Sequence, residues 1–382
     1  MSANAGGDWR ALQCALRNSL QYFRDKWAQR TGLRGNADRA PKEQEENSKE
    51  TAGMDASPPG GLETLPINLQ LYIMSFLTPK ELLYLGSTNC YWRITVQDPL
   101  IWRYFLVRDL PSWNSIDWES FPDAKIFSQP FVELDSICSC SFMKAYEKCY
   151  SFHKSVLKPS GSTHSTLFSF VQSLTTMTET CFAMFGPGLE DLDQSLVCKI
   201  MTSSHILPLA GIPSRQIPGI GSGVSFHLNG ENFNIQTLYS KTRKERQRDK
   251  ADTNSINKMF YEVCNVDGTT RYELIEHVQN LCKLVDGFIY VADAEDHKRH
   301  NRQIEFTRMS AMLNPILGPP TRPLLILSCI SCASKERIPC VYLAQQLQLN
   351  LLDQPWMVQD TEADTLVGLL DGIQWLLEHV KH

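Results

Sequence analysis

Between Leu62 and Leu106 the apolar positions follow a helical rhythm. Leu65, Leu69, Ile73, Phe76 and Leu77 recur at helical spacing, and Pro66 suits a first helical position, where a missing N–H costs nothing. Thr78-Pro79-Lys80-Glu81 reads as a capping box with proline in the first turn, so a second helix is predicted to start there. Leu82, Leu83 and Leu85 give that helix its apolar face, and Tyr91, Trp92, Leu100, Ile101 and Trp102 supply large anchors to a third. Three short helices over about 45 residues bury too little surface to be stable alone. Either the rest of the chain or a partner is expected to cover them.

Elsewhere the texture changes several times. In residues 1–33, Trp9, Leu12, Leu16, Leu20, Phe23 and Trp27 form one amphipathic stripe that must dock on its own chain, on a second copy (a homodimer) or on a partner. Residues 34–60 are polar, charged and punctuated by proline and glycine, and read as a disordered linker that holds Ser57-Pro58. Residues 109–160 carry Trp113, Ile116, Trp118 and Phe121 in a turn-rich stretch, then a helix predicted near 138–153. So many aromatics suit a packed helical connector better than a flexible one.

From 161 to 382 apolar strands alternate with helices. Strands are predicted at Cys181–Phe185, Val224–Leu228, Phe233–Tyr239, Gly287–Ala292, Pro323–Ser328 and Trp356–Val358. Helices are predicted at Leu189–Ile200, 242–262 and 271–285, then up to Leu313, and at Val341–Leu349 and Leu366–Val380. This alternation predicts a doubly wound α/β sheet with helices on both faces. The expected fold class is therefore multi-domain, an all-α module at 61–108 and a connector followed by an α/β domain.

The order Leu65-Pro66, Ile73-Phe76-Leu77, Leu82-Leu83, Trp92 and Asp98-Pro99-Leu100-Ile101-Trp102 resembles the F-box pattern. The resemblance implies docking on the Skp adaptor of a cullin–RING ubiquitin ligase, with Leu65, Pro66, Leu69, Ile73, Phe76, Leu77, Leu82, Leu83, Trp92, Leu100 and Trp102 carrying the contact. Gly86-Ser87-Thr88-Asn89 departs from the usual more apolar run and is expected to loosen the end of the second helix.

The α/β half resembles a small GTPase in strand order, length and its closing strand–helix pair, and lacks that family's motifs. A P-loop needs a glycine-rich turn to cradle phosphate, a lysine for the β/γ-phosphates and a Ser/Thr for magnesium. Counting from Gly186, those places hold Asp191, Leu192 and Asp193, and no Gly-Lys dipeptide occurs in the chain. Three carboxylates near a triphosphate oppose the attraction of a helix N-terminus. Ser240-Lys241-Thr242-Arg243 and Ser328-Cys329-Ile330-Ser331 stand where a GTPase would carry Asp-x-x-Gly and Asn-Lys-x-Asp. The expectation is a GTPase-like scaffold with no cofactor. Gly219-Ile220-Gly221-Ser222-Gly223 precedes a strand and reads as a loop, not a dinucleotide fingerprint. Asp293, Glu295, Asp296, His297 and His300 read as a solvated helix start in preference to a metal site. Lys241 to Lys250 mixes both signs and reads as an exposed helical face.

Composition adds the compartment. A net charge of −5 points to neither nucleic acid nor an anionic membrane, and no apolar run reaches the length of a membrane span. The chain has twelve cysteines and does not open on a signal-peptide pattern, so reduced thiols in the cytoplasm, with the nucleus as a second compartment, are expected. Cys329 and Cys332 lack a second spaced pair and read as strand cysteines, not half a zinc site. Cys138 and Cys140 are a further close pair.

F-box proteins with a motif-less GTPase-like domain are substrate receptors, so the resemblance implies a non-catalytic role. Through the adaptor it implies cullin and RING partners, and as substrates a telomeric repeat-binding factor and D-type cyclins. Ile338–Leu347 is the expected substrate edge, with Cys340, Val341 and Ala344 as contacts. The competing readings are a divergent nucleotide-binding enzyme and a scaffold that does not degrade its partners.

Overall fold

The computed structural model describes residues 61–122, 142–156, 179–193, 195–211, 223–241, 257–264, 270–297 and 300–380. Outside them lie the Trp9–Trp27 stripe with its homodimer expectation, the 34–60 linker with Ser57-Pro58, Cys138 and Cys140, the Gly219–Gly221 turn and the basic run from Arg243 to Lys250. The chain divides into two compact units: one runs to Asp109 and takes in residues up to Glu147, and the other holds Leu110–Pro122 and Lys148 onward.

The first unit is helical: α1 Ile67–Met74, α2 Pro79–Gly86, α3 Cys90–Thr95 and α4 Pro99–Asp109. The capping box forms as expected: Thr78 Oγ1 accepts from Glu81 N–H at 3.3 Å, and Glu81 Oε2 accepts from Thr78 N–H at 2.8 Å. Pro66 caps α1 from outside the helix, one place earlier than predicted. A fifth helix, α5 (Phe142–Val156), adds Tyr146 to this unit, tilted against Trp102 with ring centroids 5.6 Å apart.

The second unit is built on an eight-stranded sheet. Its strands are β1 Ser115–Asp117, β2 Thr180–Phe185, β3 Leu209–Gly211, β4 Val224–Leu228, β5 Glu231–Thr237, β8 Gly287–Asp293, β9 Leu324–Ile330 and β10 Trp356–Glu362. They lie in the order β1-β10-β9-β8-β2-β5-β4-β3. Strands β10, β9, β8, β2 and β5 run parallel, and β1, β4 and β3 join by antiparallel pairing. The expected α/β class with a mainly parallel sheet is the observed one. On one face Phe182, Met184, Ile289, Val291, Leu325 and Leu327 pack with Leu196 and Ile200 of α7 (Leu196–Thr202) and Ile373 and Leu376 of α11 (Leu369–Val380). On the other face the Tyr290 hydroxyl donates to Glu305 of α9 (Arg302–Met312) at 2.7 Å.

Several expectations are corrected. Leu189–Ile200 is two helices, α6 Gly188–Asp191 and α7, because Ser195 breaks the run and caps α7 by accepting from Cys198 N–H. Of the helix expected over 242–262, residues 242–256 lie outside the described residues, and its end is strand β6 (Phe260–Cys264), paired with β7 (Thr270–Leu274); of the helix expected over 271–285, Glu276–Cys282 (α8) is helical. Phe260, Tyr261, Val263 and Tyr272 are strand formers, and cross-strand pairing outweighed the helical spacing read there.

The start of the connector, expected as a packed turn-rich stretch, is packed and contributes a strand: Ser115, Ile116 and Asp117 pair with Gln359, Val358 and Met357 of β10. The same segment meets α10 (Cys340–Gln346), where the Cys340 thiol donates to the Trp113 carbonyl at 3.1 Å. Ile116, only 1% exposed, anchors this added strand. Ile116→Ala is expected to lower the stability of the α/β unit by about 2–4 kcal/mol, through lost burial plus a cavity, as measured by denaturant unfolding.

Candidate docking face on the helical unit

Helices α2, α3 and α4 each bury large apolar side chains. Leu82, Trp92, Ile101, Trp102, Phe105 and Leu106 are all buried. Trp102 Nε1–H donates to the Val96 carbonyl at 2.6 Å, so its polar atom is satisfied inside the core. Buried Gln70 ties α1 to its own entry and to α3: its Nε2 donates to the Leu65 carbonyl at 2.8 Å, and its Oε1 accepts from the Tyr91 hydroxyl at 2.8 Å. Asn89 caps α3 by accepting from Trp92 N–H at 2.8 Å and donates from Nδ2 to Glu63 at 2.9 Å.

Gly86-Ser87-Thr88-Asn89 therefore tightens the end of α2, contrary to expectation. A Cβ on Gly86 would come within 2.6 Å of Val96 Cγ2, so glycine lets α2 and α3 approach. Electrostatics support the frame. The Thr78 N–H and hydroxyl hold the Glu81 carboxyl below its usual range. Burial pushes Asp98 up, partly offset by the Leu100 N–H.

What remains outside is an apolar surface on a unit whose core is already filled. Phe76 is 71% exposed and Ile94 75%, and Leu62, Ile67, Ile73, Leu83, Tyr84 and Tyr91 are exposed as well. Exposed apolar residues in this number make the helical unit a candidate for an interaction site. Of the eleven residues expected to dock, Pro66, Ile73, Phe76 and Leu83 are exposed, and Leu65, Leu69, Leu77 and Leu100 are half-buried. Leu82, Trp92 and Trp102 are corrected: they hold the helices together and have no free face to offer. Ile67, Tyr84, Tyr91 and Ile94 are exposed as well and were not among the eleven; Tyr84 lies two places from buried Leu82, and Tyr91 and Ile94 lie one and two places from buried Trp92.

The substrate edge expected at Ile338–Leu347 is also corrected. Cys340 and Ala344 are fully buried and Val341 is 1% exposed, because the Leu110–Pro122 segment and β10 enclose α10. Burial also pushes the Cys340 thiol well above its ordinary range.

In open α/β sheets, ligands bind beyond the carboxyl ends of the strands. Here the chain's own side chains are bonded across that edge. Glu190 of α6 accepts from the Ser240 N–H at 2.5 Å and the Ser240 hydroxyl at 2.9 Å. Glu295 accepts from the Ser331 N–H at 3.0 Å and hydroxyl at 2.5 Å, and the Ser331 hydroxyl also accepts from Asp193 N–H at 3.2 Å. Arg337 donates to the Ser328 and Thr361 carbonyls and pairs with Asp360 at 3.4 Å. Gly186, at φ +128°, lets the chain pass against β8, where a Cβ would lie 2.4 Å from the Val291 carbonyl oxygen. Its role is close packing. Asp293 and Glu295, expected in a solvated helix start, are instead fully buried, and α9 begins later, at Arg302. Cys329 is buried in β9, its thiol pushed up to about 12, while Cys332 lies just past the strand.

The helical unit defines an F-box protein: the F-box-like family model matches residues 62–108. F-box only protein 4 of Bos taurus is 49% identical over 378 residues, covering 98% of this chain and 94% of the relative. The protein of that name from Homo sapiens is 52% identical over 324 residues, 84% of each chain. The chain belongs to the F-box only protein 4 family. Among solved structures, the small GTPase Arl6 BBS3 of Trypanosoma brucei, with a bound nucleotide analogue, aligns over 53% of this chain and 98% of its own at 16% identity, with a TM-score of 0.31. The sheet order, not this alignment, defines the fold class.

Burial raises the Asp360 carboxyl to about 6, against the opposing pull of Arg337. Between about pH 4 and 6 the folded state keeps a proton that the unfolded chain has released, so this group's contribution to stability falls as pH rises, by up to about 3 kcal/mol. Asp360→Asn is expected to flatten that slope, as read from urea unfolding at pH 4.5 and 6.5.

Proposed function

We propose that this F-box protein is the substrate-recognition subunit of an Skp–cullin–F-box ubiquitin ligase. The exposed apolar face of the helical unit docks on the Skp adaptor, and through it on the cullin and RING subunits. The α/β unit holds the substrate. The mechanism is proximity: a held substrate sits at high effective concentration beside a ubiquitin-charged conjugating enzyme, and the chain itself makes and breaks no bond. The observation that carries this reading is Phe76 and Ile94, more than two-thirds exposed on a unit whose own core is complete.

A non-catalytic role is supported by the intramolecular bonds at the carboxyl edge, where Glu190 and Glu295 hold the backbone of Ser240 and Ser331. Substrates of the family resemblance, a telomeric repeat-binding factor and D-type cyclins, are the first to test. The twelve cysteines, read as reduced thiols, support a location in the cytoplasm, with the nucleus as a second compartment.

Exposed and buried apolar residues separate docking from folding. Phe76→Ala with Ile94→Ala is expected to weaken adaptor capture by at least about thirtyfold, since central apolar contacts are often worth about 2 kcal/mol or more, while helicity and thermal unfolding stay near those of the parent chain. Trp92→Ala is expected to lose about 3–5 kcal/mol of stability in the helical unit and to lose capture by unfolding it. Full adaptor binding by the Phe76/Ile94 variant in a pull-down would overturn the docking assignment.

A further inference from the structure

Serine or threonine precedes proline at two places in the chain, Ser57-Pro58 and Thr78-Pro79. Ser57 lies outside the described residues, and Thr78 falls in the turn between α1 and α2. Thr78 is exposed, as are Phe76 two places before it and Lys80 two places after it. Leu83 and Tyr84, on the helix that Thr78 opens, are exposed too, and Lys80 Nζ stands 5.7 Å from the Tyr84 ring centroid. An accessible Thr-Pro hydroxyl therefore lies within the apolar face assigned to the adaptor.

The local backbone suits a phosphoryl acceptor. Proline holds the residue before it out of the helical region, and Thr78 is extended, with φ −76° and ψ 155°. Its hydroxyl donates to Glu81 Oε2 at 2.8 Å and accepts from Glu81 N–H at 3.3 Å. Both bonds are exposed to water, so releasing the hydroxyl is a local event that leaves the core of the unit untouched.

We propose that Thr78 is a phosphorylation site for a proline-directed kinase, and that its phosphate shuts off adaptor docking. The γ-phosphoryl group of ATP passes to Thr78 Oγ1. A P–O bond forms there, the bond from the γ-phosphorus to the β,γ-bridging oxygen breaks, ADP leaves, and the hydroxyl proton goes to a base of the kinase. The product carries about −1.5 to −2 charges at neutral pH. A partner that strips water from Phe76 must then strip it from the phosphate as well, which is costly for an unpaired charge. Lys80 offsets part of that charge, while the Glu81 carboxylate, now bonded to Thr78, repels it and gives up the capping box. Linkage makes the effect mutual: a phosphate that weakens adaptor binding implies a bound adaptor that withholds Thr78 from the kinase. The modification therefore acts on the free receptor, before the ligase assembles. The inference rests on the docking assignment and names a control of that same face.

The test incubates the full chain with magnesium ATP and purified proline-directed kinases, one cyclin-dependent and one mitogen-activated, with and without saturating adaptor. Phosphate is mapped by mass spectrometry. Thr78 should be labelled in the free chain and at least about tenfold less with adaptor present. Thr78→Asp and Thr78→Asn then separate charge from capping, since both residues cap helices at least as well as threonine. Thr78→Asp should weaken adaptor capture at least about tenfold relative to Thr78→Asn, with thermal unfolding of both near that of the parent chain. No label on Thr78 from either kinase, equal labelling with adaptor bound, or equal capture by the two variants would overturn the inference. The docking assignment is read separately, from the parent chain and the Phe76/Ile94 variant: if those two capture the adaptor alike, that assignment fails whatever Thr78 does.

Discussion

The helices α1 to α4, six to eleven residues long, bury only part of the apolar side chains they carry. That limit governs the helical unit from α1 to α4. Its core takes one set, among them Leu82, Trp92, Trp102 and Phe105, and the bonds from Trp102 to Val96 and from Gln70 to Leu65 and Tyr91 fix the arrangement. Apolar residues on the other side of each short helix then have no internal place to go. The same short length that makes the unit need a good core also leaves Phe76 and Ile94 outside, so stability and stickiness arise from one constraint.

The α/β unit meets the opposite problem. Its parallel strands are covered on both faces, and the open place in such a fold is the carboxyl edge. There Glu190 and Glu295 hold backbone and hydroxyl groups of the loops after β5 and β9. Hydrogen bonds to a carboxylate are worth more than neutral ones, and here they are spent between the chain's own loops. Carboxylates and phosphates compete for the same N–H donors, so an edge organised around Glu190 and Glu295 is chemically opposed to a triphosphate. Gly186, which in sequence suggests a phosphate cradle, answers instead to the Val291 carbonyl.

Much of this was legible in the chain. Strands β2, β8 and β9 are continuous apolar runs with turns at each end, and Thr78-Pro79-Lys80-Glu81 fixed the start of α2. Local signals of that kind survive folding because burial and capping reinforce them. Long-range pairing leaves a weaker trace. Strand β1 is three residues long and owes its existence to β10, some 240 positions later, so nothing near Ile116 announces a strand. For the same reason α10 looked exposed: Cys340, Val341 and Ala344 are covered by a segment distant in sequence. In the helical unit, periodicity selected the large anchors Trp92 and Trp102 without telling which side of each helix turns inward. That depends on how four helices meet, so the exposure of Ile94 was not legible from spacing.

In sequence Leu110–Pro122 reads as part of a packed connector between two folded parts. In this chain the residues that follow α4 are bonded into the edge of the sheet through Ser115, Ile116 and Asp117. Chain that would otherwise be slack is taken up by the fold, and the three-residue β1 becomes the terminal strand beside β10, a shorter edge being a poorer template for unwanted strand pairing.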